Sequence, residues 1–464
     1  MMTEFCWRAL IAPVVLLCCA LAGAQSQKQE PMSMPMPQNP PAAQATSSPV
    51  GQGLTLAELE RIALANNPTL RQTESQIRAA AGRTRQAGLY PNPTVGYIGE
   101  QIRGGSFRGG EQGFFISQPI VLGGKLGLSR KLSQYDQHTA ELGQQQQRVQ
   151  VLTGVRIAFY HALAAQQMLE TRKRLRQLAD DAVTTTRQFF NVGQADTPDV
   201  LQAEVEAQQQ QLAVGAAEQS YATAWTILAA TAGKPDMPPG PLQGDLEQIP
   251  SEDPQQWMQA LLRDSPAVKI AEAEVQRAQA EVARQRRQAI PDLNLRGGLE
   301  QNRELLGTVP DRPVGLQGFA SVGVQLPIFN RNQGNVEAAR ADLERAQQEV
   351  ERVTLVLRQR SAAVLQNYIT SRAAAEVCKN QILPRAQQAY EMYLKNYHAM
   401  AAAYPQVLIA QRTLFESQTS YISALENVWT SSLTLRGFLL TNGLGAQATP
   451  GMSRGPSNLL SLQE

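Results

Sequence analysis

Hydrophobic and polar positions in this chain follow two different periods in turn. Over "LNLRGGLE" from Leu293 and "ASVGVQL" from Ala320, apolar residues tend to occupy every second position, as in a β-strand with one apolar face. Elsewhere apolar residues recur every seven positions, as at Leu343, Val350 and Leu357. Sustained heptads are typical of long helices that pack side by side.

This arrangement of periods occurs twice along the chain. The stretch "ALANNPTLRQTESQIRAAAGRTRQAGLYPNPTVGY" has a similar counterpart later in the chain, "ALLRDSPAVKIAEAEVQRAQAEVARQRRQAIPDLNLRGG". Four prolines recur in the same order: Pro68 with Pro266, Pro91 with Pro291, Pro119 with Pro327, and Pro198 with Pro405. So long a period indicates a duplicated domain rather than a solenoid repeat. We assign residues 54–247 to the first repeat and 248–442 to the second.

Each repeat is predicted to contain one strand hairpin. The predicted strands span about 94–101, 112–121, 293–301 and 317–326, with loops over 103–110 and 303–315. Strands of this length cross a lipid bilayer when they are tilted. No apolar run after the N-terminal one reaches the ~18 residues of a membrane helix, so membrane entry would use the strands.

Long helices are predicted after each hairpin. No proline lies between Pro119 and Pro198, and a helix from about Lys125 to Phe190 would be about 100 Å long. Gly193 can end this helix, and Asp196 or Thr197 can cap the next, with Pro198 at its first position. The result is a helical hairpin with an exposed tip. Pro384 predicts a kink in the matching helix of the second repeat.

The two ends of the chain lie outside the repeats. Residues 1–24 are predicted to be a secretory signal, in which Cys18 or Cys19 is an alternative lipid-attachment site. Residues 25–53 are predicted to be a disordered arm, whose methionines offer an alternative reading as a Cu(I) site. Those methionines are Met32, Met34 and Met36. Residues 443–464 are predicted to be a flexible tail, and Cys378 is the one cysteine of the mature chain.

Composition and motifs give no support for catalysis. A net charge of +2 with 18% charged residues offers no surface for nucleic acid. His138, His161 and His398 lie in no recognisable motif, and Gly123-Gly124-Lys125 lacks the spacing of a phosphate loop. We therefore predict no catalytic residue, no cofactor and no bound metal. The double glycine is read as the break between a strand and a helix.

Four strands are too few to close a membrane barrel. Open strand edges would leave backbone N–H and C=O groups without partners in lipid, so the chain must associate with further copies. Three copies supply twelve strands, although a dimer or a tetramer would also close the sheet.

The sequence resembles the TolC-type outer-membrane efflux family, in particular its CzcC-like, heavy-metal-exporter branch. The resemblance spans about Leu54 to Leu440 and is carried by "ALANNPTL", "GLYPNPTV", "ISQPIVLGGK", "FNVGQADTPDVLQAE" and the duplication. It implies a mainly α fold with a membrane β-barrel: a homotrimer with a 12-strand β-barrel in the outer membrane and an α-helical barrel in the periplasm. The implied function is a passive exit duct that works with a periplasmic adaptor and an inner-membrane pump of the RND type.

The resemblance also places adaptor docking at the helix tips. The implied residues are Val192, Gly193, Gln194, Ala195, Asp196 and Thr197 in the first tip, and Ala399, Met400 and Ala401 in the second. The second tip lacks the glycine usual in the family and has no aspartate for an acidic constriction ring. Heavy-metal cations, small toxic compounds and secreted proteins stay open as cargo. A periplasmic coiled-coil structural or adaptor protein is the alternative that does not enter a membrane.

Overall fold

The computed structural model describes residues 53–101, 110–249, 254–306, 312–399 and 401–445. This part of the chain is mainly helical and contains a four-stranded sheet and a two-stranded parallel pair. The predicted signal, the possible lipid-attachment cysteines and the methionines of the arm lie outside the described residues.

Helices, a strand hairpin and long helices follow in the same order in both halves of the described chain, and two short strands occur in the first half without a described counterpart in the second. The first half contains β1 (Leu54–Thr55), α1 (Leu56–Asn66), α2 (Pro68–Ala87), β2 (Thr94–Glu100), β3 (Glu111–Ile120), α3 (Lys125–Asn191), α4 (Thr197–Thr231) and β4 (Leu242–Gln243). The second half contains α5 (Pro254–Asp264), α6 (Pro266–Arg287), β5 (Leu293–Leu306), β6 (Arg312–Val324), α7 (Gln333–Val377), a π-helix (Cys378–Ile382), α8 (Leu383–His398) and α9 (Tyr404–Arg436).

The four-stranded sheet joins the two repeats in the order β2-β3-β5-β6, and every neighbouring pair is antiparallel. Between the repeats, Ile116 of β3 pairs with Gly297 of β5. The β5–β6 hairpin is longer than predicted, because residues 303–306 and 312–315 of the expected loop belong to the strands, while residues 307–311 lie outside the described residues. A register shift between Asn302 and Leu305 lets pairing continue to Leu306. β6 includes Pro313, and an edge strand tolerates a residue without an N–H group.

The long helices begin and end at conformations that the sequence encodes. α3 has 67 residues and is therefore about 100 Å long. Gly124 before α3 and Asn332 before α7 both adopt left-handed φ angles, of 70° and 63°. Near Pro384 the helix widens into one π-turn, in which the Leu383 N–H donates to the Cys378 carbonyl. Since proline has no N–H to donate, a local change of hydrogen bonding at this point is expected.

The largest buried cluster lies where α1, α3, α4 and α9 meet. Phe159 and Leu228 are almost inaccessible there, and the tryptophan side chains also find polar partners. The indole N–H of Trp225 donates to the Met237 carbonyl at 3.0 Å, and that of Trp429 donates to the Leu246 carbonyl at 2.9 Å. Burial of aromatic surface with satisfied N–H groups fixes the packing of these helices.

Residues that follow α9 pack back onto the first repeat. The side-chain amide of buried Asn67 donates to the carbonyls of Thr231 and Gly443, at 3.2 and 3.3 Å. The Gln147 amide donates to the Gly445 carbonyl at 3.2 Å. The sequence assigns residues 443–445 to a flexible tail, and this is wrong, because their backbone groups are bonded to side chains far away in the sequence. The rest of the predicted tail lies outside the described residues.

An ion pair between α3 and α9 makes stability depend on pH. A hydrogen bond with Glu426 raises the pKa of His161 above its ordinary value of 6.5, against the opposing effect of burial. Because the folded-state pKa of His161 is raised, the stabilisation that the His161–Glu426 pair gives the folded protein is fully present below about pH 6.5. It is lost as pH rises through the folded-state pKa.

We expect His161→Gln to lower the thermal midpoint by about 1–2 °C at pH 5.5, because an ion pair that is half exposed contributes little. At pH 9 the same variant should match the wild type. The control is His138→Gln, since the nearest carboxylate oxygen to His138 lies 3.6 Å away on its own helix. An equal loss at both pH values would contradict the expectation.

Candidate functional site

One face of the four-stranded sheet is an exposed apolar band. Cross-strand partners share a face, so Tyr97, Phe114 and Leu299 form one row across three strands. The large apolar residues of this face are Val95, Tyr97, Phe114, Ile116, Leu295, Leu299, Leu316, Val322 and Val324. All are exposed by at least a third, and Tyr97 and Phe114 pack edge to face at 5.7 Å. An apolar surface of this extent indicates contact with lipid or with another protein.

The opposite face of the sheet is polar and carries a stacked arginine. The guanidinium carbon of Arg296 lies 4.1 Å from the ring centre of Phe115 and 5.7 Å from that of Phe319. The rings have room because Gly96 and Gly298 lie beneath them, where an added Cβ would clash. Sequence analysis missed this stack. Its one signal is a glycine in each of two strands, and glycine in a strand often marks a close approach.

The double glycine forms the turn between β3 and α3. Gly123 and Gly124 both have left-handed φ angles, near 70°, and a Cβ at Gly123 would collide with Ile290. The Lys125 ammonium then lies 2.9 Å from the Asp292 carboxylate at the start of β5. Burial would raise the pKa of Asp292, but hydrogen bonds from Lys125 and the Leu122 amide hold it below its usual value. This lysine therefore joins the two repeats.

The first predicted tip is a tight turn between α3 and α4. Gly193 has a φ of 75°, and the Gln194 N–H donates to the Phe189 carbonyl at 2.8 Å, which closes the helix end. The N-cap of α4 is Asp196, so Thr197 is the first helical residue and Pro198 the second. Val192 is 65% exposed at this turn. An apolar side chain held at the end of a long hairpin is suited to contact with another protein.

The second predicted tip lies beside the first. The ring of Phe189 in α3 lies 5.0 Å from that of Tyr397 and 6.0 Å from that of His398 in α8. Ala399 and Ala401 follow α8 directly, and Met400 lies outside the described residues. The structure therefore brings the two predicted tips together. Phe190, which is also exposed at the first tip, was not among the predicted residues, although the pair Phe189-Phe190 was a visible signal.

Buried polar groups support the tips from behind. The buried Glu206 carboxylate in α4 accepts from Arg412 in α9 at 2.8 Å and from Gln210 at 2.9 Å. Tyr404 opens α9 with a buried hydroxyl, and burial is the main reason that its pKa is raised. The Glu206–Arg412 contact therefore joins α4 to α9 on the side of the tips that faces the rest of the helices.

Two features are absent from the described residues. None of the described helices combines the length and the apolar character needed to cross a membrane. The described ranges hold no group of three His, Cys, Asp or Glu residues arranged for a metal ion. Of the three histidines that the sequence contains, His161 pairs with Glu426 and His398 lies against Phe189.

A family model described as "Outer membrane efflux protein" matches residues 59–234 and 257–439. The cobalt-zinc-cadmium resistance protein CzcC of Cupriavidus metallidurans is 28% identical over 385 residues, which covers 82% of this chain and 89% of CzcC. The nickel-cobalt-cadmium resistance protein NccC of Alcaligenes xylosoxydans xylosoxydans is 26% identical, covering 63% of this chain and 65% of NccC.

Solved structures agree on the fold. CusC, which forms a transmembrane channel, superimposes with a TM-score of 0.67 at 17% identity, covering 84% of this chain and 92% of CusC. At this identity the likeness shows a common fold.

Proposed function

The chain belongs to the outer membrane efflux protein family, and we propose that it acts as a homotrimeric duct that exports divalent metal cations. It is an outer-membrane efflux channel that extends into the periplasm and serves as the exit of a tripartite system. Members of this family are channels rather than enzymes, so the transport step itself is passive.

The single observation that carries this proposal is the sheet with one apolar and one polar face. Leu299 and Phe114 lie on the apolar face, and Arg296 and Glu300 lie on the polar face. A strand whose faces differ in this way suits a barrel wall between lipid and water. The sheet continues into helices of about 100 Å, which can line a duct across the periplasm.

Closure of the barrel requires further copies. In the order β2-β3-β5-β6, one edge of β2 and one edge of β6 have no strand partner among the described residues. Unpaired edges are not stable in lipid, and three copies with four strands each give a twelve-stranded barrel. The same threefold arrangement would surround the duct with the long helices.

The two adjacent tips would dock the periplasmic adaptor. Val192, Gly193, Gln194, Ala195, Asp196 and Thr197 would contact it from the first tip, with Ala399, Met400 and Ala401 beside them. The adaptor would connect the duct to an inner-membrane pump of the RND type. Metal cations are the proposed cargo because two relatives that cover most of the chain, CzcC and NccC, are named for resistance to cobalt, zinc, cadmium and nickel.

We expect the protein to remain in outer-membrane fractions after a high-salt wash and to conduct ions across a planar lipid bilayer. Salt weakens ionic attachment but not burial of an apolar barrel face, so the wash separates a duct from a periplasmic coiled coil. Deleting the gene should increase sensitivity to cobalt, zinc or cadmium and leave sensitivity to organic toxins unchanged. Release by salt without conductance would disprove the duct, whereas sensitivity to organic toxins alone would disprove the metal cargo.

A further inference from the structure

The polar face of the four-stranded sheet is divided into layers by cross-strand pairing. Residues that pair across strands lie at one level of the sheet and point to the same face. Ser117, Arg296 and Ser321 form one layer, near the end of the sheet from which the helices continue. The next layer on this face, about 7 Å along the strands, contains Phe115 and Phe319. Successive layers of one surface therefore offer different chemistry.

The charge of these layers changes sign along the strands. Arg296 lies three positions after β5 begins at Leu293. Glu300 lies two layers further towards the hairpin ends, and the layer after that contains Glu100 opposite Glu111. In these four layers of the described strands, Arg296 is the one cation, and the three glutamates are the anions. The helix end of this face is therefore positive and the hairpin end is negative.

Arg296 is held by an aromatic ring rather than by a carboxylate. Its guanidinium carbon lies 4.1 Å from the centre of the Phe115 ring, and its Nε is buried without a hydrogen-bond partner. The carboxylates before and after it, Asp292 and Glu300, are each four residues away, which is about 13 Å in an extended chain. Asp292 is already paired with Lys125. The positive charge of Arg296 is therefore not neutralised by these neighbours.

A guanidinium fixed in this way is suited to bind an anion. Stacking on Phe115 restricts the plane of the group and leaves its outer nitrogens available to donate. Such a fork matches the oxygens of sulfate, phosphate or a carboxylate. Ser321 pairs with Arg296 and is exposed, so a hydroxyl donor lies at the same level of the same face. The hydroxyl of Ser117, on the other side, already donates to Asn294 at 2.9 Å.

We propose that the Arg296 side chains of the assembled duct form an anion-binding ring on the wall of the barrel lumen, close to its periplasmic end. The ligand is a small oxyanion such as sulfate, bound by the guanidinium and by the Ser321 hydroxyl. This proposal rests on the proposed function, since the polar face must line the lumen. Metal cations that leave the cell need counter-anions, and the ring concentrates these anions where the metal enters the barrel.

The carboxylates nearer the hairpin ends have the opposite effect on permeating ions. Glu300 attracts cations to the outer part of the lumen, whereas Arg296 attracts anions to the inner part. A charge on the wall acts over about 10 Å in 0.1 M salt and about 30 Å in 0.01 M salt. The influence of the ring on ion permeation should therefore be largest in dilute salt, which sets the conditions of the test.

Reversal potentials across a planar lipid bilayer test the charge of the ring. In a gradient of dilute KCl, Arg296→Gln should raise the permeability of K⁺ relative to Cl⁻ about twofold, and Glu300→Gln should lower it, because each variant removes one sign of charge from the lumen wall. Lys234→Gln is the matched control, since Lys234 is exposed in the turn after α4, outside the sheet. An unchanged ratio in Arg296→Gln, or an equal rise in Lys234→Gln, would overturn the ring.

Sulfate separates binding at Arg296 from the general effect of its charge. Compared with chloride at equal ionic strength, sulfate should move the K⁺/Cl⁻ ratio of the wild type towards that of Arg296→Gln, because bound sulfate cancels the positive charge. Arg296→Gln itself should not respond. Arg296→Lys keeps the charge and loses the fork, so it should keep the wild-type ratio in chloride and respond less to sulfate. An equal response of the wild type and Arg296→Gln would overturn the binding site. A wild type that does not conduct would instead disprove the duct.

Discussion

Replacing Leu299 with lysine is expected to prevent stable assembly of the protein in the outer membrane. Leu299 lies on the apolar face of the sheet, between Phe114 and Gly318, and its side chain is exposed. A lysine on the lipid face of a barrel costs about 2–4 kcal/mol near the midplane, and the three copies of the proposed homotrimer would bring the cost to about 6–12 kcal/mol. The amount of this proposed trimer in outer-membrane fractions measures the effect.

The matched control for this substitution is Gln317→Lys. Gln317 pairs with Glu300 on the polar face of the same sheet, one position along from the Leu299–Gly318 pair. A lysine there would lie in water opposite a carboxylate, so assembly should stay near the wild-type level. Equal amounts of trimer from Leu299→Lys and the wild type would show that this face does not contact lipid.

Asn67→Ala is expected to destabilise the helical part by about 3–5 kcal/mol. The Asn67 side chain accepts from the Thr69 N–H at 3.0 Å, which caps α2, and its amide donates to the carbonyls of Thr231 and Gly443. Its loss removes the cap and leaves two buried carbonyls without these donors. Thermal unfolding in detergent and proteolysis near residues 437–445 measure the change.

The neighbouring residue offers a close control. Asn66 is exposed, and its amide donates only within its own helix, to the Ile62 carbonyl at 2.9 Å. Asn66→Ala should therefore cost less than about 0.5 kcal/mol, as surface changes usually do. Similar losses from the two variants would mean that the bridge from Asn67 to Gly443 does not hold residues 443–445 in place.

Local signals predicted the elements that depend on neighbouring residues. Period-two alternation located β2, β3, β5 and β6, and heptads with an absence of proline located α3. Glycine and capping residues located the turn at Gly193. Such signals also supported the resemblance to an efflux family, and the family match confirms it.

Predictions failed where strand pairing or a distant partner overrides a local signal. The stretch 303–315 was expected to be a loop, yet residues 303–306 and 312–315 belong to β5 and β6, which continue to pair there. Residues 443–445 have the composition of a tail, yet Asn67 and Gln147 hold them. For residues 443–445, the side chains that supply the hydrogen bonds lie 376 and 298 positions away in the sequence.

By itself, the sequence determined two strand hairpins, the long helices and the turn at the first tip, because each follows from the side-chain period and turn residues of a short segment; the second tip was placed by the family resemblance. Only the tertiary structure decided that β3 lies beside β5, that Lys125 meets Asp292, and that Arg296 stacks on Phe115. The physical reason is that strand order and side-chain pairing are set by contacts between segments more than a hundred residues apart, which compete with other pairings of similar local propensity.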